Sequence, residues 1–157
     1  MPESESWRGK IGRMSQEEMD AFLAGPRLMR MACLKDDGKP YIVPMWYEWD
    51  GEGFWVIPRE KSFWAKCLVK QKYCAATIDE EQPPLRKVLV EGEAELIEEP
   101  NVGGKWVAIA TRMSVRYFGE HGPDYLQPTL VDPRWLFRIH PSQITTWQGV
   151  AWAKRYR

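Results

Sequence analysis

Apolar and polar residues along this chain alternate mostly with a period of two, and switch to three- and four-residue spacing in three places. Ser15 followed by Glu18 forms a capping box, and Met19, Phe22 and Leu23 then share one helical face until Gly25-Pro26. This predicts a first helix over residues 16–24. Strand character follows in residues 28–35 and 40–49, separated by Asp36-Asp37-Gly38. A second turn, Asp50-Gly51-Glu52-Gly53, leads into a strand over 54–58. Glycine accepts the positive φ that such hairpin turns require, so the three segments read as a meander. A helix is expected over 63–72 with Ser62 as its cap. A fourth strand over 74–78 carries an apolar run that suggests burial on both faces.

The fifth strand, 85–97, is long and holds Gly92, which marks a bulge or a close backbone approach. Trp106, Ile109, Ala110, Met113 and Tyr117 then recur at helical spacing and predict a helix over 102–118. Lys105, Arg112 and Arg116 run beside that stripe, and a solvated face is preferred over an anion-facing role. The Gly- and Pro-rich stretch 119–133 reads as a loop with one helical turn. Residues 134–140 and 143–147, broken by Pro141, form the last strand or strands. About six antiparallel strands with flanking helices define an α+β, mainly β fold, a closed or half-open barrel. Missing βαβ alternation disfavours a Rossmann sheet. Residues 1–14 are expected to form an N-terminal arm that docks on a surface the sequence does not specify, and 15–157 a single domain.

Charge and composition narrow the function. Lys plus Arg and Asp plus Glu number 22 each, so no bulk field attracts nucleic acid or acidic membranes, and an anion site has to be local. Cys33, Cys67 and Cys74 form no CxxC pair, which speaks against a zinc site or disulfide framework and for reduced buried thiols. The N-terminus carries Glu3 and Glu5 without an apolar core segment, and the run from Tyr41 to Tyr47 is too short to span a bilayer. A soluble, cytoplasmic protein is expected.

The most informative segment is Arg59-Glu60-Lys61-Ser62-Phe63-Trp64-Ala65-Lys66, where a strand hands over to a helix. Unpaired N–H groups and the positive end of the dipole suit a phosphate there, with Arg59, Lys61, Ser62 and Lys66 as donors. Elsewhere the familiar catalytic motifs are missing, no metal site is indicated, and His121 and His140 stand alone. Nine tryptophans against five phenylalanines supply packing area, and Trp64, Trp147 and Trp152, beside cations, are candidate ring neighbours of a planar ligand. An anion pocket with aromatic platforms and no reactive side chains points to a phosphorylated, redox-active cofactor, such as a flavin. No catalytic residue is assigned.

In this order the features resemble the pyridoxamine 5′-phosphate oxidase-like superfamily of split β-barrels, in particular its small flavin and deazaflavin (F420) oxidoreductases. The carrying motifs are Met31-Ala32-Cys33-Leu34 before Asp36-Asp37-Gly38-Lys39-Pro40, Val43-Pro44-Met45-Trp46-Tyr47, Arg59-Glu60-Lys61-Ser62, Arg86-Lys87-Val88, Val90-Glu91-Gly92 and Thr146-Trp147-Gln148-Gly149. The resemblance implies a homodimer with FMN, or alternatively F420, at the subunit interface, acting on a small planar substrate. It implies that Pro44, Met45, Trp46 and Tyr47 line the ring, that Lys87 helps hold the phosphate, and that Trp147 and Trp152 lie on a tail reaching the partner's cofactor. The chain departs from the family's Ser-Arg-Lys-like sequence by reading Ser62-Phe63-Trp64. The Arg-x-His signature of a true pyridoxamine-phosphate oxidase is absent from the C-terminus; Arg138-Ile139-His140 lies in a strand. A non-catalytic carrier of flavin or haem with the same fold is the alternative reading.

Overall fold

Local chemistry sets the first element. Ser15 Oγ accepts from the Glu18 backbone N–H at 3.1 Å and starts α1, Gln16–Leu23, which buries Met19, Phe22 and Leu23. The computed structural model describes residues 7–157; the first six residues of the expected arm lie outside the described residues. Its remainder docks through backbone pairing of Gly12 with Gln148 and burial of Met14, while Trp7 and Ile11 stay exposed.

Lys10 and Gln148 both donate to the Glu18 carboxylate, and in that order they hold it at about 2, below the ordinary glutamate value of 4.5. A depressed acid stabilises the fold above its unfolded value and loses that contribution as the pH falls through the folded one. Glu18→Gln should therefore flatten the decline of the thermal midpoint between about pH 4.5 and pH 2; a decline parallel to wild type would contradict this anchoring role.

Seven strands follow: β1 Met29–Leu34, β2 Pro40–Met45, β3 Glu48–Trp49, β4 Phe54–Val56, β5 Tyr73–Asp79, β6 Lys87–Asn101 and β7 Arg134–Trp147. They form one antiparallel sheet in the order β2-β1-β5-β6-β7-β4-β3, curled but not closed, which is the expected split-barrel architecture. Both hairpin turns are as expected, with Gly38 and Gly51 at positive φ. The strand expected over 40–49 is instead two strands at opposite edges of the sheet, so the meander is split. The cause lies at Tyr47, whose ring is fully buried and whose hydroxyl donates to the Leu23 carbonyl at 2.9 Å. Its N–H goes to the Tyr117 hydroxyl rather than to a neighbouring strand.

Two further expectations are corrected and one is met. The segment 134–147 is one strand unbroken by Pro141, because Pro141 falls at a register shift opposite Gly92, where its missing N–H costs no ladder bond. Gly92 is the close approach foreseen, since a Cβ there would stand 2.5 Å from the His140 carbonyl oxygen. β5 is buried on one face only: Cys74, Ala76 and Ile78 point inward while Tyr73 and Ala75 are exposed.

Two longer helices complete the frame, α2 Phe63–Lys70 and α3 Trp106–Phe118, followed by the short α4 Gly122–Leu126. α3 begins four residues later than its periodicity suggested. Gly103 takes a positive φ, and the Glu98 carboxylate accepts from the Trp106 N–H at 3.1 Å to cap the helix. Ser62 stands at the α2 cap position, but its side chain makes no capping bond. The main core fills the curl of the sheet beneath α1 and α2. A second core, with Trp106, Ile109, Met113, Leu126 and Leu136, packs α3 and α4 against β7. No helix among the described residues is long and apolar enough to cross a membrane.

Candidate active site

The second core leaves a cleft of about 360 Å³ between the α3–α4 unit and the ends of β2 and β4, within the size range of small-molecule sites. Its walls have different characters. Pro44, Met45, Trp46, Ile57 and Pro58 come from the strand ends, Ser62 and Trp64 from the start of α2, and Ala110, Met113, Tyr125 and Leu126 from the helices. Arg59 and Arg134 supply the cationic end. Trp46 is held by stacking on Tyr117, with ring centroids 4.5 Å apart and planes 9° apart, and by tilted contact with Tyr125 at 5.4 Å. An aromatic wall fixed in this way loses little rotamer freedom when a planar ligand lies on it.

Six of the twelve residues expected to hold a cofactor thus converge: Pro44, Met45, Trp46, Arg59, Ser62 and Trp64. Because the Ser62 hydroxyl does not cap α2, it is available to a ligand. Phe63, at a position where the family pattern has a cation, turns away to meet Tyr41 edge-on at 5.0 Å. Tyr47 is in the core rather than in the cleft wall. Lys61 is exposed outside the cleft, and Lys66 lines a separate depression with Phe63, Lys35 and Lys70. Lys87 and Trp147 stand opposite each other in register on the uncovered sheet face, and Trp152 is exposed on the tail.

The sequence reading did not single out Arg134, nor a role for Ala110, Met113, Tyr125 and Leu126 as the far wall. The helical stripe of Ala110 and Met113 signalled burial, not a cleft. Arg134 follows Asp132-Pro133 with no motif around it, and only the tertiary pairing of 58–60 with 133–135 brings it beside Arg59. Burial, followed by the neighbouring Arg59 charge, holds Arg134 below the ordinary guanidinium value.

The remaining titratable groups lie elsewhere. Arg112 makes a bidentate ion pair with Glu48 at 2.8 and 2.9 Å, and Arg116 lies over the Tyr47 and Tyr117 rings, so this part of the basic stripe is engaged within the protein. His140 Nε2 meets Glu95 at 2.7 Å and its Nδ1 faces Arg138, on the sheet away from the cleft; His121 is exposed beside α4. Burial raises the Cys33 thiol, with neighbouring Cys67 adding to the shift, and pushes Cys74 up to about 12, so neither is a thiolate nucleophile. Among the described residues no group of three or more His, Cys, Asp or Glu is placed to hold a metal ion.

The sequence pattern described as pyridoxamine 5′-phosphate oxidase matches residues 15–148. The chain belongs to the pyridoxamine 5′-phosphate oxidase family. Family membership extends to three-dimensional likeness. A conserved hypothetical protein from Mycobacterium tuberculosis superposes with a TM-score of 0.67 at 27% identity, covering 91% of this chain and 89% of that one. An F420 reductase gives 0.61 at 21% identity over 80% and 94% of the two chains. The haem storage protein HutZ from Vibrio cholerae gives 0.64 at 17% identity over 87% and 96%. Among curated proteins none matches the chain. The family fold therefore carries both cofactor reductases and haem proteins, and the cleft has to distinguish them.

Proposed function

We propose that this protein binds FMN, or alternatively F420, in the cleft and transfers hydride to or from a small planar substrate. One observation carries the reading: a single cleft pairs a cationic end, Arg59, Ser62 and Arg134, with an aromatic and apolar end formed by Trp46, Trp64 and Tyr125. That division matches a ligand with a phosphate at one end and a flat ring system at the other. The start of α2 adds unpaired N–H groups beside Ser62.

The bound cofactor would supply the hydride chemistry; the protein's share is binding and placement. Arg59 and Ser62 hold the phosphate, while Trp46 and Pro44 set the ring against the strand ends. Ala110, Met113 and Leu126 exclude water from the far side, and no side chain has to donate or take a proton. Held by these residues, the cofactor would meet a substrate in one orientation, the main advantage a positioning site provides.

A homodimer is part of the same reading. The outer face of β2, β1, β5 and β6 leaves Ile42, Tyr73 and Leu89 between 45% and 68% exposed, around Ala32 and Ala75. A patch of this kind favours a covering partner. Pro44 belongs both to this face and to the cleft wall, so a second copy seated here would bring Trp147, Trp152 and Lys87 near the ligand.

A haem or flavin carrier is the second reading, favoured by the fold shared with the haem storage protein and by Met45, Met113 and Tyr125 in the cleft wall, side chains of the kinds that ligate haem iron. The visible spectrum of the purified protein, followed by titration with FMN, F420 and haem, separates these readings. Flavin or deazaflavin absorption with submicromolar binding is expected. A Soret band would favour the carrier, and a colourless protein that binds neither FMN nor F420 would refute the leading reading.

A further inference from the structure

Arg59 and Arg134 stand directly opposite each other in an isolated antiparallel bridge. The flanking bonds run from the Glu60 N–H to the Pro133 carbonyl at 3.2 Å and from the Trp135 N–H to the Pro58 carbonyl at 3.0 Å. The two arginines are therefore a non-hydrogen-bonded pair, the arrangement that brings Cα atoms to about 4.5 Å and side chains closest on one face. Like charges so placed repel. Asp132 offsets part of this, but its ion pair, at 3.3 Å, is with Arg59, and both groups are half exposed. Among the described residues Arg134 has no carboxylate partner, and its Nε is buried without an acceptor. One side of the guanidinium is fixed by donation from Nη2 to Thr129 Oγ1 at 3.0 Å, and the group lies over the Trp106 ring at 5.5 Å. Arg134, held by Thr129 and Trp106 and facing a cleft beside a second arginine, lacks an anion of its own.

We propose that Arg134 and Arg59 form a clamp for one phosphate group, with Arg134 the residue that selects phosphorylated over unphosphorylated ligands. Two guanidinium forks converging on one tetrahedral oxyanion give the geometric match that a single lysine does not. The identity of the phosphate's carrier as a flavin rests on the function proposed above; the clamp itself does not.

The experiment compares wild type with Arg134→Met, which keeps the stem over Trp106 and removes the charge, and Arg134→Lys. In phosphate-free buffer, added inorganic phosphate should raise the melting temperature of wild type, raise that of Arg134→Lys less, and leave that of Arg134→Met unmoved. Affinity for FMN should fall about tenfold to a hundredfold in Arg134→Met, while affinity for riboflavin, which lacks the phosphate, stays within about twofold of wild type. Equal phosphate response in wild type and Arg134→Met, no response in wild type, or equal weakening of FMN and riboflavin would each overturn the clamp. If wild type responds to phosphate through Arg134 but binds no flavin, only the cofactor reading fails. Should Arg134→Met not fold, Arg134→Lys decides: a diminished phosphate response at an unchanged phosphate-free melting temperature supports the clamp, and an undiminished one overturns it.

Discussion

Replacing Trp106 by alanine is expected to cost about 3–5 kcal/mol of stability and to weaken ligand binding in the cleft. The indole is fully buried at the centre of the second core, and its Nε1 donates to the Asn101 carbonyl at 2.9 Å. Its removal leaves a cavity under α3 and takes away one donor to the Asn101 carbonyl. It also takes away the ring beneath the Arg134 guanidinium, so the cationic end of the cleft loses its support. Thermal unfolding should show a drop on the order of 10 °C for a domain of this size. A loss below about 1 kcal/mol would mean that α3 and α4 collapse inward and refill the space, in which case the helices are not a fixed wall.

Lysine at both Ile42 and Leu89 should convert the proposed dimer into a monomer without unfolding the chain. Both side chains are largely exposed on the outer sheet face, 68% and 45%, so in an isolated subunit the changes fall within about 0.5 kcal/mol of neutral. Buried against a second copy, four unpaired ammonium groups per dimer would raise the dissociation constant by about two orders of magnitude or more. Light scattering after size exclusion reads the change. On the dimer reading proposed above, cofactor affinity should fall in the same variant as well. A wild-type protein that is monomeric at all concentrations, or a double variant that stays dimeric, would rule out this face as the interface.

Elements governed by neighbouring residues are legible in the sequence. The capping box at Ser15 and Glu18, the glycine turns at Gly38 and Gly51, and the bulge at Gly92 all follow from backbone preferences that act within a few positions. The strand-to-helix handover at 59–62 was equally readable, because turn, charge and helix start coincide there. Segments that depend on distant partners were misread. β5 looked buried on both faces because apolar content alone does not tell a core face from an exposed one. Pro141 looked like a strand break because the bulge that accommodates it is made with Gly92 on another strand.

By itself the sequence determined most of the local helix and turn starts, the split-barrel family and one half of the proposed anion site, Arg59 with Ser62, since these depend on local spacing and on motifs contiguous in the chain. Only the tertiary structure decided that Tyr47 divides the meander between two sheet edges, that Lys66 turns away from the cleft, and that Arg134 stands opposite Arg59. The physical reason is separation along the chain: Arg59 and Arg134 meet through the pairing of residues 58–60 with 133–135, and no periodicity in either segment encodes which side chain the other places across from it.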